Sequence, residues 1–139
     1  MIVPVTPDTL QAWARMSAAL YGDTAEEMLE YSKTGHPYEF VYMKEGKAIA
    51  VLSLDLRDDY VEGTSSSPVG YIEGIYVEPE HRKSGFAREL IEFAKSWSKE
   101  NGCKEMASDC YLENNYSRIF HNAVGFTEAG INVHFTMDL

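Results

Sequence analysis

The chain has 139 residues, 45% of them hydrophobic and 12% aromatic, and its formal net charge at pH 7 is −10. This length and composition exclude a disordered protein and predict a single folded domain over residues 1–139 with its own hydrophobic core. The negative charge argues against nucleic acid as a partner, because proteins that bind nucleic acid carry basic stripes.

The first third of the chain predicts two helices. Residues 6–21 repeat apolar side chains at helical spacing, with Thr6 as the N-cap and Pro7 at the first helical position. A second, shorter helix is expected over 25–35, capped by Asp23 or Thr24 and ended by Gly35.

The rest of the chain predicts strands separated by helices. Residues 38–56 contain two β-rich runs joined by Glu45-Gly46, which is a hairpin signal, and a third strand is expected over 69–77. There follow a helix over 86–101, a strand over 104–110, a helix over 114–124 and a last strand over 130–139. This order predicts a mixed α/β sandwich built around one sheet.

Cysteine usage and hydropathy indicate the compartment. Cys103 and Cys110 have no Cys-x-x-Cys spacing, so we expect two reduced, buried thiols that only pack. His36, His81 and His134 show no ligand spacing, so no metal is expected. Since the chain also lacks a membrane-spanning run and a secretory signal at its start, the sequence predicts a cytoplasmic protein.

The stretch HRKSGFA, residues 81–87, places two cations and a glycine where a strand leads into a helix. Such a turn directs free backbone N–H groups and the positive end of a helix dipole at one place, which favours an anion. The spacing fits neither a P-loop nor a Rossmann fingerprint, and an ordinary strand-to-helix connection remains the alternative. A basic turn in an acidic chain suggests two ligands of opposite charge.

The pattern Arg82-x-x-Gly85-x-Ala87 resembles the pyrophosphate-binding loop of the GCN5-related N-acetyltransferases, and ENNYSRIFHNAVGF, residues 113–126, has the spacing of that family's fourth helix. The resemblance implies an α+β fold with a mixed, mostly antiparallel sheet flanked by helices, and acetyl-CoA as cosubstrate without a metal. The residues it implies for the coenzyme are Ile75, Tyr76 and Val77 along the pantetheine arm, Arg82, Lys83, Ser84, Gly85, Phe86, Ala87 and Arg88 around the pyrophosphate, and Asn114.

Residues from about 57 to 126 are similar in more detail to the aminoglycoside 6′-N-acetyltransferases, through DDYVEG, YIEGIYV and EMASDCYLENNYS. This resemblance implies that Tyr21, Tyr60, Glu73 and Asp109 surround an aminoglycoside, with Glu73 and Asp109 also serving catalysis. It further implies that His121 is the group nearest the leaving thiolate, and that the protein is a homodimer.

The implied residues agree with the chemistry of such a reaction. A polycationic acceptor is matched by carboxylates and aromatic walls, and an attacking amine must first lose a proton to a base. Each residue also has a structural reading, because aromatics mostly pack and a carboxylate at a strand end often forms a turn. Gly130 stands where relatives carry an acidic residue, for which Glu128 or Asp138 could compensate.

Two other functions fit the same sequence. One is an acetyltransferase for a different cationic amine, such as a polyamine or a peptide N-terminus, which keeps the coenzyme residues and reassigns Glu73 and Asp109. The other is a coenzyme-binding sensor module without catalysis.

Overall fold

The computed structural model describes residues 1–139 and contains one five-stranded sheet with the strand order β1-β2-β3-β4-β5. Neighbouring strands from β1 to β4 are antiparallel, and β5 is parallel to β4. In chain order the elements are β1 (Ile2–Pro4), α1 (Leu10–Tyr21), α2 (Ala25–Ser32), β2 (Glu39–Lys44), β3 (Lys47–Arg57), β4 (Val69–Val77), α3 (Phe86–Glu100), β5 (Met106–Ser108) and α4 (Asn115–Ala123). The predicted fold class, a mixed and mostly antiparallel sheet with flanking helices, is confirmed.

The sheet is covered by helices on both faces, because alternate residues of each strand point to opposite sides. Along β2 and β3, Val41 and Val51 pack with α1 and α2 in one buried cluster, whereas Phe40 and Leu52 pack with α3 in another. Helix α3 buries Leu90, Ile91 and Ala94, and its opposite side is charged. None of the helices is long and apolar enough to cross a membrane.

Local sequence signals account for the best-predicted elements. Thr24 and Glu27 form a complete capping box at the start of α2, which confirms Thr24 as the cap. The predicted hairpin turn is confirmed at Glu45 (φ 50°) and Gly46 (φ 77°), the pair of positive φ angles that a two-residue turn of the primed type needs.

The N-terminal prediction was wrong in two places. Helix α1 begins at Leu10 with Thr9 as its cap, because the Thr6 N–H donates to Thr9 Oγ1 and residues 6–9 form a turn instead of the first helical turn. Strand β1 was missed, since three residues ending in a proline give almost no local strand signal. Its pairing with β2, Ile2 opposite Tyr42, is what forms it.

The C-terminal predictions were also partly wrong. Residues 130–139 form no strand, and no backbone hydrogen bond of the chain involves any residue beyond 126. Strand β5 covers only Met106–Ser108, which pair with residues 70–72 of β4, and not the predicted 104–110. Cys103 is buried as expected, but Cys110 is exposed because it follows the end of this short strand.

Leu90 tests whether α3 is packed as described. Its side chain is completely buried, so Leu90→Ala should lower the free energy of unfolding by about 2–5 kcal/mol, through lost burial and a cavity. The measurement is chemical denaturation followed by circular dichroism. The matched control is Leu112→Ala at a 53% exposed position, which should change stability by less than about 0.5 kcal/mol. Equal effects of the two substitutions would contradict the packing of α3.

Candidate active site

Strand β4 is paired on both sides over only part of its length. Parallel pairing with β5 ends at Ile72 opposite Ser108, so residues 73–77 have a strand neighbour only on the β3 side. At the same point the β3 register shifts: Leu54 is opposite Ile72 and Ser53 is opposite Gly74, which leaves Glu73 as the extra residue of a β-bulge. The result is an open slot along the second half of β4, with Glu73 at its start.

The backbone of the unpaired part of β4 offers hydrogen-bonding groups to this slot. Glu78 N–H donates to Ile49 on β3, and residues of an antiparallel pair alternate between bonded and non-bonded positions. By this alternation Tyr76 bonds to β3, whereas Ile75 and Val77 turn their N–H and C=O groups into the slot. The Arg82 side chain confirms the direction at one position, since its Nε donates to the Val77 carbonyl at 2.8 Å. An extended ligand could therefore pair with Ile75 and Val77 as a strand would.

The loop beyond β4 forms an anion-binding arrangement. Gly85 has φ 89° and ψ 0° as the residue before α3, a left-handed conformation that glycine adopts without strain. The backbone N–H groups of residues 83–88 donate to no atom of the protein, although they surround the positive end of a 15-residue helix. The cationic side chains of this segment are Arg82, Lys83 and Arg88. The predicted anion loop thus has the free donors that a phosphate group requires.

An acidic wall, formed by the carboxylates of Glu73 and Asp109, lies at the start of the slot. Arg57 and Tyr71 connect these two carboxylates. Arg57 Nη2 is 2.7 Å from Glu73 Oε1, and the Arg57 guanidinium carbon lies 3.4 Å from the centroid of the Tyr71 ring. The Tyr71 hydroxyl donates to Asp109 Oδ2 at 2.8 Å. Burial and the hydrogen bond to Asp109 raise the pKa of Tyr71, so the hydroxyl stays protonated and remains a donor. Partial burial opposes the Arg57 cation, but the hydrogen bond and charge of Glu73 outweigh it and raise the guanidinium pKa.

Tyr21 closes the wall from the side of α1. A Cβ atom added to Gly74 would lie 2.1 Å from the Tyr21 hydroxyl oxygen, so this ring rests directly on the backbone of β4. Burial, followed by the charges of Glu39 and Glu73, raises the pKa of Tyr21. The neighbouring Glu39 accepts hydrogen bonds from Trp13 and Ser53, and burial raises the pKa of its carboxyl.

The fourth helix carries two of the predicted residues. The Asn114 side chain caps α4 by accepting from the Ser117 N–H at 3.1 Å. His121 Nδ1 is 2.7 Å from the Ser117 carbonyl oxygen, which can only accept, so this nitrogen carries the proton. Nε2 lies 2.9 Å from the hydroxyl oxygen of Ser108 at the end of β5, and that hydroxyl also contacts the Ile72 carbonyl oxygen at 3.5 Å. Both ring nitrogens of His121 are therefore engaged next to the slot.

Not all predicted residues come together. Tyr60 lies in the loop after β3, is 84% exposed, and forms no hydrogen bond to the acidic wall. Glu128 is bound to Arg118 at 2.7 Å instead of facing Glu73, and the hydrogen bond from Arg118, followed by its charge, lowers the pKa of Glu128. Gly130 lies against the Glu62 carboxylate.

The open slot beside β4 and the free N–H groups of residues 83–88 suit an extended, anionic ligand. The profile of the acetyltransferase (GNAT) family matches residues 8–126. The chain belongs to this acetyltransferase family.

Individual relatives match this chain over nearly its full length. An aminoglycoside N(6′)-acetyltransferase type 1 from Acinetobacter haemolyticus is 37% identical over 139 residues, 97% of this chain and 96% of the relative. The crystal structure of an aminoglycoside 6′-N-acetyltransferase from Acinetobacter baumannii superimposes with a TM-score of 0.91 at 34% identity, over 100% of this chain and 98% of that one. AAC(6′)-Iy, solved with the bisubstrate analogue CoA-S-monomethyl-acetylneamine, gives a TM-score of 0.90 at 32% identity, over 100% and 98% of the two chains.

Sequence reasoning missed Arg57 and Tyr71, although they connect Glu73 to Asp109. A signal was present, since Tyr71 and Glu73 alternate along one strand and therefore share a face of the sheet. What could not be obtained was the register that brings Arg57, which pairs with Val69, onto the same face.

Substitution of Gly74 tests the contact between Tyr21 and β4. Gly74→Ala places a methyl group in the position of the Tyr21 hydroxyl and should lower the free energy of unfolding by about 1–3 kcal/mol. The same substitution in a Tyr21→Ala background should cost clearly less, because the overlapping ring is gone. Denaturation of the four proteins of this cycle measures the difference. An unchanged cost in both backgrounds would mean that Tyr21 does not rest on β4.

Proposed function

We propose that this acetyltransferase moves the acetyl group of acetyl-CoA to the 6′-amine of an aminoglycoside antibiotic and so confers resistance. The observation that carries the proposal is the pairing of two opposite environments along one strand: the free N–H groups of residues 83–88 at one end of the slot and the acidic wall at Glu73 at the other. The activity named for the relatives from both Acinetobacter species supports the same acceptor class.

The coenzyme would lie along the second half of β4. The Ile75 carbonyl and the Val77 N–H would pair with its pantetheine arm, with Tyr76 between them bonded to β3, and the segment from Arg82 to Arg88 would hold the pyrophosphate through backbone N–H groups and cationic side chains. Asn114 would complete this side from the start of α4. The complex of AAC(6′)-Iy with CoA supports the assignment.

The acceptor would bind at the acidic wall. Its ammonium groups would be attracted by Glu73 and Asp109, with the Tyr21 ring as an aromatic surface and Tyr60 reaching in from the loop after β3. Glu73 would take the proton from the attacking amine, directly or through a water, and the Ile75 N–H would stabilise the charge that develops on the carbonyl oxygen. With a proton on each ring nitrogen, His121 Nε2 would donate to Ser108 Oγ, and the Ser108 hydroxyl would give its own proton to the leaving thiolate as it takes the proton from Nε2.

Free-thiol release from acetyl-CoA tests the proposal directly. We expect turnover with kanamycin and tobramycin, and none with a kanamycin derivative that lacks the 6′-amine. Glu73→Gln keeps the size and removes the base, so it should lower kcat by roughly 10²–10⁴-fold. Calorimetry should show that this variant still binds CoA.

Spermidine and a short peptide in the same assay separate the alternatives. Turnover with these amines alone would reject the antibiotic and favour a different cationic acceptor. CoA binding without turnover on any amine would favour a sensor module.

The proposal includes a cytoplasmic homodimer. The two cysteines are free, which fits a reducing compartment. Residues 131–139 alternate apolar and polar side chains as a half-buried strand does, yet all the apolar ones are exposed: Ile131, Val133, Phe135, Met137 and Leu139. A second copy offers the missing partner, because each chain also has an open β5 edge, and a row of exposed apolar residues marks a protein interface.

Removing the tail tests the dimer. The wild-type chain should elute as a dimer in size-exclusion chromatography with light scattering, and a chain ending at residue 130 should be monomeric. The matched control replaces the polar residues Asn132 and Thr136 by serine, which leaves the apolar row intact and should leave the mass unchanged. A truncated chain that stays dimeric would reject the tail as the interface.

A further inference from the structure

We propose that Arg57 is a positioning residue that holds the Glu73 carboxylate in one orientation for the acceptor amine. This inference rests on the proposed function, because it concerns how the proposed base is presented.

Glu73 needs such support from outside its own strand. As the extra residue of the bulge it has no opposite residue on β3, so the ladder does not by itself fix the direction of its side chain. The Arg57 guanidinium supplies the constraint through the 2.7 Å contact to Oε1. Glu73 Oε2 has no hydrogen-bond partner in the protein, so the clamp engages one oxygen and leaves the other free to take a proton.

Arg57 is itself restrained by Tyr71. Its guanidinium carbon lies 3.4 Å from the ring centroid of Tyr71, a residue that is only 6% exposed, and a cation in that position gains both electrostatic attraction and contact area. The same Tyr71 donates its hydroxyl to Asp109. The buried Tyr71 side chain therefore positions both carboxylates: it binds Asp109 directly, and it holds the Arg57 guanidinium that binds Glu73.

The pair remains accessible to an acceptor. The side chains of Arg57 and Glu73 are 37% and 32% exposed, so the ion pair forms part of a wall open to solvent. The wall carries two carboxylates and one cation, which leaves one net negative charge for an incoming ammonium. Arg57 has one competing role: it could occupy the position of the acceptor's ammonium group until the acceptor displaces it. That role would require the guanidinium to leave the Tyr71 ring.

Arg57→Ala separates the two roles by steady-state kinetics with kanamycin. Loss of the clamp should lower kcat by at least about tenfold, because a mispositioned base transfers protons poorly. CoA affinity by calorimetry and the melting temperature should stay close to wild type. Lys33→Ala, which removes one cation from an exposed ion pair with Glu30, is the matched control for net charge and should have wild-type kcat. A lower KM with unchanged kcat in Arg57→Ala would overturn the proposal in favour of displacement.

Chemical rescue gives a readout that a merely structural role would not move. Guanidinium chloride below denaturing concentrations should restore much of the activity of Arg57→Ala, whereas urea, which is similar in shape but uncharged, should not. Arg57→Lys should retain intermediate activity. Equal rescue by both solutes, or by neither, would count against a guanidinium-specific clamp.

A double-mutant cycle ties the effect to Glu73. In a Glu73→Gln background, Arg57→Ala should lower kcat by less than about twofold, since its target is already lost. A full additional loss would show that Arg57 acts elsewhere.

The role of Arg57 is tested even if the acceptor is not an aminoglycoside. If the wild type acetylates only spermidine or a peptide, the same comparisons apply with that amine. If it acetylates none, a crystal structure of Arg57→Ala decides: the Glu73 carboxylate should leave the position that it occupies beside Arg57 in the wild type, and an unchanged rotamer would overturn the proposal.

Discussion

The site depends on the loss of pairing along one strand. Strand β4 is held on both sides as far as Ile72, and beyond that point its second side is free. Unpaired N–H and C=O groups inside a fold are costly unless a partner satisfies them. The open half of β4 is therefore stable only because it faces a slot that solvent or a ligand can enter. The bulge at Glu73 lies at the point where pairing on the second side of the strand ends.

The two ends of the slot differ in the sign of their charge, although they lie on one continuous stretch of chain. At the loop end, backbone donors and cations have no internal anion to bind, so they remain available. At the other end, the carboxylates are partly neutralised by Arg57, and Tyr71 keeps them in place through its ring and its hydroxyl. A net charge of −10 over the whole chain adds a general attraction for cations, while the local loop keeps its affinity for anions.

The parts of this protein that the sequence predicts well are those with local causes. The α2 cap needs only Thr24 and Glu27, and α3 needs only its amphipathic spacing after Gly85. The resemblance to the acetyltransferases predicted the loop and the acidic residues, and in the structure they lie at opposite ends of the slot. Long-range causes were not accessible: β1 exists through pairing with a distant strand, and Arg57 meets Glu73 only because of a register that includes a bulge. The tail alternates apolar and polar residues as a strand does, yet it forms no strand. The alternation shows only that these residues suit a sheet, and a strand forms only where a neighbouring strand is present to pair with it.

The root of the tail has a thermodynamic consequence for the active site. Glu128 lies just before the tail of residues 131–139 and binds Arg118 on α4. The same arginine contacts the Leu112 carbonyl just before that helix. Helix α4 also carries His121, which contacts Ser108 at the end of β5. Any ordering of the tail that shifts α4 changes the affinity of the slot for its ligand, and reciprocity requires ligand binding to change the affinity of the tail for its own neighbour by the same factor. The Arg118–Glu128 ion pair thus provides a physical link between the proposed dimer contact of the tail and ligand binding in the slot.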